Sequence, residues 1–297
     1  MQVAVTGATG FLGRYIVRHL IGAGHSCRCW YRAESDRGGF DGLETDLAWL
    51  PGELSDVKSM CDLVSGVDAV VHAALYRLGA GFRGAEGDLP TFVERNVLGS
   101  IRLIEAAREG GARRFIFIST CAVHEVILDD RNLDEAHPLW ATSHYGAHKA
   151  AIEKFVHSYG LGNGYEICSL RPTGIYGVAR PVSRSKWYTL VQDVKRGRPI
   201  AAAGGGKEVH AADVAKAVGI LLTADGIAGQ AYNCYDMYVA EQEVARIAKK
   251  ITGSSSTIEA PNKGPKHQID TSKLRALGME FGGKALLEPT VRQMLES

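Results

Sequence analysis

The chain is expected to fold as a doubly wound parallel α/β sheet with a smaller C-terminal lobe, and three observations predict this. Short β-rich runs alternate with amphipathic helical stretches from Gln2 to about Arg171, the order that builds a parallel sheet with helices on both faces. The first such run, Gln2 to Thr6, leads straight into a glycine turn and a periodic helix. The 297 residues, 45% hydrophobic and 23% charged, can bury a large core and stand at the boundary between one domain and two.

The glycine turn is Gly7-Ala8-Thr9-Gly10-Phe11-Leu12-Gly13, and the helix after it, Arg14 to Ala23, carries Tyr15, Ile16, Val17, Leu20 and Ile21 on one side. Strand, turn and helix are the context in which a glycine string acquires meaning. Gly7 supplies a tight turn, Gly10 lets the backbone approach a pyrophosphate, and Gly13 lets helix and strand pack closely. Gly7, Thr9, Gly10, Phe11 and Leu12 are therefore expected to hold dinucleotide phosphates on the amides of the helix start. Residues 1–176 are read as a Rossmann domain.

A second strand, Ser26 to Tyr31, ends at Trp30-Tyr31-Arg32, where an NAD-binding chain places an acid on the ribose hydroxyls. The Arg32 guanidinium suits a phosphate instead, so NADP is favoured over NAD. Glu34 and Asp36 lie just beyond and leave NAD open. Two more strands follow at Trp49 to Leu54 and Val67 to Ala74, separated by a short helix from near Ser55. Their positions put Glu53 and Leu54 toward the adenine, whose amino group Glu53 can accept from. Ala73 and Ala74 are small enough for the backbone to lie against the ribose. His72 is read as a local hydrogen-bonding residue rather than a catalytic one.

Asn96 opens a helix to about Glu109, and the apolar strand Arg114 to Thr120 delivers two hydroxyls, Ser119 and Thr120, to the carboxyl edge of the sheet, where open α/β folds bind ligands. The next helix, about Tyr145 to Tyr159, sets Tyr145 and Lys149 at i and i+4 on one face. A phenol with an ordinary pKa of about 10 is a poor proton carrier at neutral pH. An ammonium beside it, and the positive ring of an oxidised nicotinamide, stabilise the phenolate. Tyr145 can then take a proton from an alcohol or return one to a ketone. His144 and His148 flank the pair and, turned by about 100° from their neighbours, are expected to face away.

Together these segments resemble the short-chain dehydrogenase/reductase superfamily in its extended branch, the NAD-dependent epimerase/dehydratase family, from Val3 to about Leu286. The resemblance is carried by the glycine turn, Val71-His72-Ala73-Ala74, Asn96-Val97-Leu98-Gly99, Phe117-Ile118-Ser119-Thr120, Tyr145 with Lys149, Leu170-Arg171-Pro172 with Ile175-Tyr176-Gly177, and Val209-His210-Ala211-Ala212-Asp213-Val214-Ala215. It implies an NAD(P)-dependent epimerase or dehydrogenase working by hydride transfer at a secondary alcohol or ketone of a sugar or sugar-nucleotide-like substrate. It implies Thr120, 25 residues before Tyr145, as the hydroxyl orienting the substrate oxygen, Tyr145 as acid/base, and Lys149 as ribose ligand and pKa modifier. Asn96 and Ser119 fall on the cofactor side, and Pro172 and Thr173 border the nicotinamide carboxamide. A homodimer through the helices at 96–109 and 145–159 is implied by the resemblance alone.

The chain departs from the family pattern where a sugar nucleotide would be anchored. Thr173-Gly174 follows Arg171-Pro172 in place of a diphosphate-holding Asn, and Lys207 stands for a later Arg. A nucleoside diphosphate recruits Arg forks, so the nucleotide half of the substrate is in question. The candidate substrate side comprises Tyr76, Arg77 and Arg83, then His124 and Trp140, then Arg180, Arg184, Lys186 and Trp187. Dehydratase relatives carry an acidic pair after the catalytic hydroxyl, where this chain has Cys121-Ala122, with Glu125 nearby but shifted. The alternatives are an NADPH-dependent carbonyl reductase of a non-sugar substrate and a nonenzymatic NADP-binding redox sensor; the presence of Tyr145 and Lys149 speaks against the sensor.

A net charge of +1 argues against nucleic acid or an anionic membrane as the main partner. The six cysteines show no C-x-x-C, and Cys27 and Cys29 alternate on one strand as core thiols, which suits a reducing cytoplasm. No signal peptide is expected, because residues 1–13 already form a strand and a phosphate turn, and no apolar run reaches the roughly 18 residues of a membrane span. No metal site is expected. A helix at about Ala211 to Leu222 and a strand at Ala231 to Cys234 return to the sheet, which is completed by about 207–234. Residues 177–206 and 235–297, with a helix from Glu241 to Ile251, form the substrate lobe.

Overall fold

The computed structural model describes residues 1–79, 84–201, 203–259 and 264–296. In chain order the elements are β1 (Gln2–Thr6), α1 (Phe11–Gly22), β2 (Ser26–Tyr31), β3 (Leu47–Pro51), α2 (Val57–Val64), β4 (Ala69–His72), α3 (Leu89–Val93), α4 (Gly99–Glu109), β5 (Arg114–Ile118), α5 (His144–His157), β6 (Glu166–Pro172), β7 (Gly174–Tyr176), α6 (Tyr188–Lys195), β8 (Ile200–Ala201), β9 (Gly205–His210), α7 (Ala211–Leu221), β10 (Gln230–Cys234), β11 (Met237–Ala240), α8 (Glu241–Thr252), β12 (Ile258–Glu259), α9 (Ser272–Ala276) and α10 (Lys284–Leu295).

Seven strands form one sheet in the order β10-β6-β5-β4-β1-β2-β3, every neighbouring pair parallel. The doubly wound sheet predicted from the alternation of strands and helices is thus present. Its order reverses beside β1, the switch point at whose carboxyl edge open α/β sheets bind ligands. β5 is buried along its whole length, as a strand covered on both faces must be. The third strand stops at Pro51, earlier than its apolar run suggested, because Pro51 already pairs with Tyr31 at the end of β2. The helix expected from Asn96 to about Glu109 begins within a π-helical turn at Glu94–Leu98 and continues as α4, and α3 precedes that turn. Such bulges disturb the backbone hydrogen-bond ladder, and Ser100 Oγ donates to the Asn96 carbonyl at 2.5 Å.

The chain divides into two units, the first made of Met1–Pro172, Val214–Cys234 and Ile269–Met279, the second of Thr173–Asp213, Tyr235–Gln268 and Glu280–Ser297. The first is built on Leu63, Val70, Leu103, Phe115, Phe117 and Ile152 among others, all buried. The second packs Tyr176, Val191, Val239, Val244, Leu287 and Met294. Residues 207–210, assigned from sequence to completing the main sheet, belong to β9, which pairs with β7 and β11 in a separate three-stranded sheet. β10 already occupies the edge of β6, so β9 takes the edge that β7 offers.

Candidate active site

The turn after β1 leaves no room for a Cβ at Gly7 or at Gly13. Gly7 has φ +73°, and a Cβ there would stand 2.8 Å from the Ala73 carbonyl and the Ala74 nitrogen. At Gly13 a Cβ would meet the Gly7 carbonyl oxygen at 2.1 Å. The turn, the exit of β4 and the first turn of α1 therefore touch backbone to backbone. α1 opens at Gly10 with no side-chain cap and no acid in its first turn, so no capping side chain competes with an anion for those amides. Sequence reasoning missed Arg14, which lies beneath this turn: it donates to the carbonyls of Thr9 at 3.2 Å and Asp36 at 2.5 Å and to Gly38, and it pairs with the Asp36 carboxylate at 3.3 Å.

Ala73 and Ala74 are held by a buried hydrogen-bond chain. The Ala74 amide donates to Thr6 Oγ1 at 3.2 Å, Thr6 Oγ1 lies 2.7 Å from His72 Nδ1, and His72 Nε2 lies 2.8 Å from Ser100 Oγ. Ser100 gives its own proton to Asn96 O, so it must accept from Nε2–H, and Nδ1 must accept from Thr6. His72 is thus a neutral hydrogen-bonding residue, and burial, followed by the nearby Lys149 charge, takes its pKa down to about 3.

Thr120, Tyr145 and Lys149 come from the two elements that meet at the end of β5. Ser143 caps α5, accepting from the Gly146 amide at 3.0 Å, and Glu125 accepts from the amides of Thr142 and Ser143 at 2.5 and 2.7 Å and from both their hydroxyls. The Glu125 carboxylate is therefore spent on starting the helix. Burial alone would raise its pKa, yet these bonds hold it below the ordinary value. Thr120 Oγ1 accepts from the Ala122 amide at 3.1 Å. Lys149 is buried, donates to the Ile118 carbonyl at 2.8 Å and lies over the Phe117 ring at 4.5 Å. Burial takes its pKa down to about 7, with Glu153 acting in the opposite direction.

Tyr145 is partly exposed and interacts electrostatically with Arg77. The expectation that both flanking histidines face away is corrected for His148. It is buried, its ring 5.4 Å from that of Tyr145 and 4.9 Å from that of Phe92, because residues three apart share a helix face. His144 is exposed.

One turn beyond Lys149 on α5 stands Glu153, whose pairing with the motif residue Arg171 the sequence did not announce. Arg171 and Glu153 form a fully buried ion pair, with Nη2 to Oε2 at 2.5 Å and Nε at 3.0 Å from each oxygen. Ser119 Oγ donates to the same carboxylate. His124, expected on the substrate side, is buried and accepts from Arg171 Nη1 at 3.2 Å, which removes it from substrate contact. Burial, then the Arg171 charge, lowers its pKa to about 4.

The remaining candidates are scattered. Arg32 is exposed and pairs with Glu34 at 3.1 Å; Glu53 lies 4.0 Å from Arg95. Leu54 is a core residue against Gly99. Asn96 binds Tyr76 through both its N–H and its carbonyl, at 2.8 and 3.0 Å, and also bonds Phe92 O, so its amide fixes the segment after β4. Pro172 is buried, and Thr173 Oγ1 is a buried hydroxyl with no hydrogen-bond partner. Trp140 is exposed, and Arg83 lies outside the described residues. Arg180, Arg184, Lys186 and Trp187 belong to the second unit, where Lys186 pairs with the buried Glu208 and Trp187 lies against Tyr176 with ring centroids 5.3 Å apart. Among the described residues no cluster of three metal-ligating side chains occurs, and no helix is long and apolar enough to cross a membrane.

The family model of the NAD dependent epimerase/dehydratase family matches residues 3–234. The chain is 28% identical over 296 residues, 94% of itself and 93% of the relative, to the low-salt glycan biosynthesis protein Agl12 of Haloferax volcanii. It is 30% identical over 179 residues to a 3-beta-hydroxysteroid dehydrogenase of Mycolicibacterium neoaurum, covering 59% of this chain and 48% of that one, so it spans about half that relative's length. In fold it resembles the dTDP-glucose 4,6-dehydratase of Streptomyces venezuelae with NAD and TYD bound, with TM-score 0.80, 24% identity and coverage of 100% and 98%. It likewise resembles the UDP-glucose 4-epimerase of Thermus thermophilus in complex with NAD, with TM-score 0.79, 23% identity and full coverage of both chains.

Proposed function

Because the chain belongs to the NAD-dependent epimerase/dehydratase family, we propose that it is a dinucleotide-dependent enzyme interconverting a secondary alcohol and a ketone, with Tyr145 as the proton carrier. The observation that carries this reading is the Lys149 ammonium, buried one helical turn from Tyr145 and fastened to the Ile118 carbonyl at 2.8 Å. A buried lysine with no structural ion pair of its own is costly, and stabilising a phenolate gives it a use. Arg77 adds a second positive charge near the phenol.

The residues fit a dinucleotide. Gly7, Thr9, Gly10, Phe11 and Leu12 would hold its phosphates. Glu53 and Leu54 would face the adenine. Ala73, Ala74 and Lys149 would meet the riboses, with Asn96 acting through the segment it fixes, and Ser119, Pro172 and Thr173 would border the nicotinamide. The unsatisfied Thr173 hydroxyl offers a partner for a polar group there. When bound, the nicotinamide supplies the hydride acceptor or donor. Thr120, whose oxygen already accepts from Ala122, keeps its proton to donate to a substrate oxygen. Tyr145 takes the hydroxyl proton in oxidation and returns it in reduction.

The structures of similar fold named above carry NAD. For this chain we favour NADP, because the tip of β2 presents Arg32, and its pairing with exposed Glu34 is the weak kind of surface ion pair that a phosphate displaces. The substrate is a sugar or sugar-nucleotide-like alcohol or ketone. A second reading, reduction of a non-sugar carbonyl, is favoured by the 30% identical steroid dehydrogenase and by Lys186 being committed to Glu208. The free cysteines, Cys27 and Cys29 among those buried, suit a cytoplasmic protein. Exposed Val93, Leu98 and Phe155 suit a homodimer.

The test is a thermal-shift panel of NAD, NADP and their reduced forms, then sugars, sugar nucleotides and sterols with the favoured dinucleotide. A ligand that binds only the folded chain raises its stability by mass action. NADP is expected to give the largest dinucleotide shift; no shift with any dinucleotide would overturn the reading.

A further inference from the structure

We propose that Glu153 is a positioning residue whose buried carboxylate, its field tempered by the ion pair with Arg171, favours the cationic form of the Lys149 side chain. This rests on the reading of Lys149 as the cation serving Tyr145. Glu153 lies one turn beyond Lys149 on α5 and has no exposed surface. Its carboxylate accepts from Arg171 at 3.0 Å to each oxygen and 2.5 Å to Oε2, and from Ser119.

The charged and titratable groups facing Lys149 make Glu153 the one that matters. From β4 comes His72 and from α5 His148, both driven by burial, and next by the Lys149 charge, to about 3 and hence neutral. From β5 come the Ile118 carbonyl and the Phe117 ring, which carry no net charge. Tyr145 is on the same helix, and Arg171 on β6 is paired with the carboxylate. Glu153 is therefore the anion among these groups, and it opposes the burial that lowers Lys149 to about 7. Because Arg171 neutralises much of that carboxylate, only part of its field reaches Lys149. The pair thus fixes how acidic the ammonium is.

The experiment follows the lysine ε-carbon NMR resonance of Lys149 in the whole chain against pH, assigned by its loss in Lys149→Met. Glu153→Gln is expected to lower the titration midpoint by about one pH unit, and Arg171→Gln, which frees the carboxylate's field, to raise it. General loosening of the core would move both variants upward, toward the ordinary lysine value. A midpoint that is unchanged or raised in Glu153→Gln overturns the proposal. Should that variant not fold, the paired Glu153→Gln/Arg171→Gln variant removes both charges together; it too is expected to titrate lower, and an unchanged or higher midpoint there is equally contrary. The titration needs neither substrate nor turnover, so its failure is distinguishable from a failure of the hydride-transfer reading, which Tyr145→Phe tests.

Discussion

Lys149 donates to the carbonyl of Ile118 at 2.8 Å, tying the helix that carries Tyr145 to the strand that ends two residues before Thr120. A cation held this way is buried away from water. Its acid–base properties are set by the protein around it.

That confinement has a stability signature. Lys149 has a folded pKa of about 7 against the ordinary 10.5, so below pH 7 the fold bears the full cost of a buried ammonium, and the cost fades as pH rises toward 10.5. Lys149→Met should therefore be more stable than the wild type by a few kcal/mol at pH 6, with the difference shrinking by pH 10. Denaturant unfolding at the two pH values checks this; an equal difference at both would contradict it.

The glycine turn predicts a contrast within one helix. Gly13→Ala places a Cβ 2.1 Å from the Gly7 oxygen and should cost about 1–3 kcal/mol while weakening dinucleotide binding. Gly22→Ala meets nothing within 4 Å and should stabilise by about 0.5–1 kcal/mol. Thermal melts with and without dinucleotide compare them.

Glu125 starts the helix that carries Tyr145. Replacing it with Gln should cost about 1–3 kcal/mol near neutral pH, since four donors from Thr142 and Ser143 lose their anion. Its folded pKa lies below the ordinary 4.5, so its contribution is present above that value and is lost as pH falls through the folded one. Melting curves of wild type and variant should converge in acid; a constant gap would count against this role.

On the proposed preference for NADP, Arg32 sets coenzyme choice. Arg32→Ala should weaken NADP binding by about tenfold or more, the worth of one charge-assisted contact, and leave NAD unchanged. Equal losses for both coenzymes, measured by calorimetry, would remove Arg32 from the phosphate site.

Much of the fold was legible in the sequence because a parallel sheet writes itself as short apolar runs, and Gly7 and Gly13 mark a turn where a Cβ does not fit. The Arg171–Glu153 pair was not legible, since neither residue type announces burial and their contact joins positions 18 apart across a helix and a strand. His124 read as a loop residue because its commitment to Arg171 is tertiary. In the second unit α10 carries Pro289 inside the helix, which disguises it locally, and β8 and β12 are two residues each, too short for any periodicity. The pairing of β9 with β7 depended on which edge β10 had already filled.

The central claim is that Tyr145 carries the proton, and the most direct measurement is turnover of Tyr145→Phe against the wild type with a substrate from the ligand panel, beside the dinucleotide Kd of each. The account predicts turnover lowered by about 10²–10⁴-fold with dinucleotide affinity nearly unchanged; full turnover in the variant would contradict it.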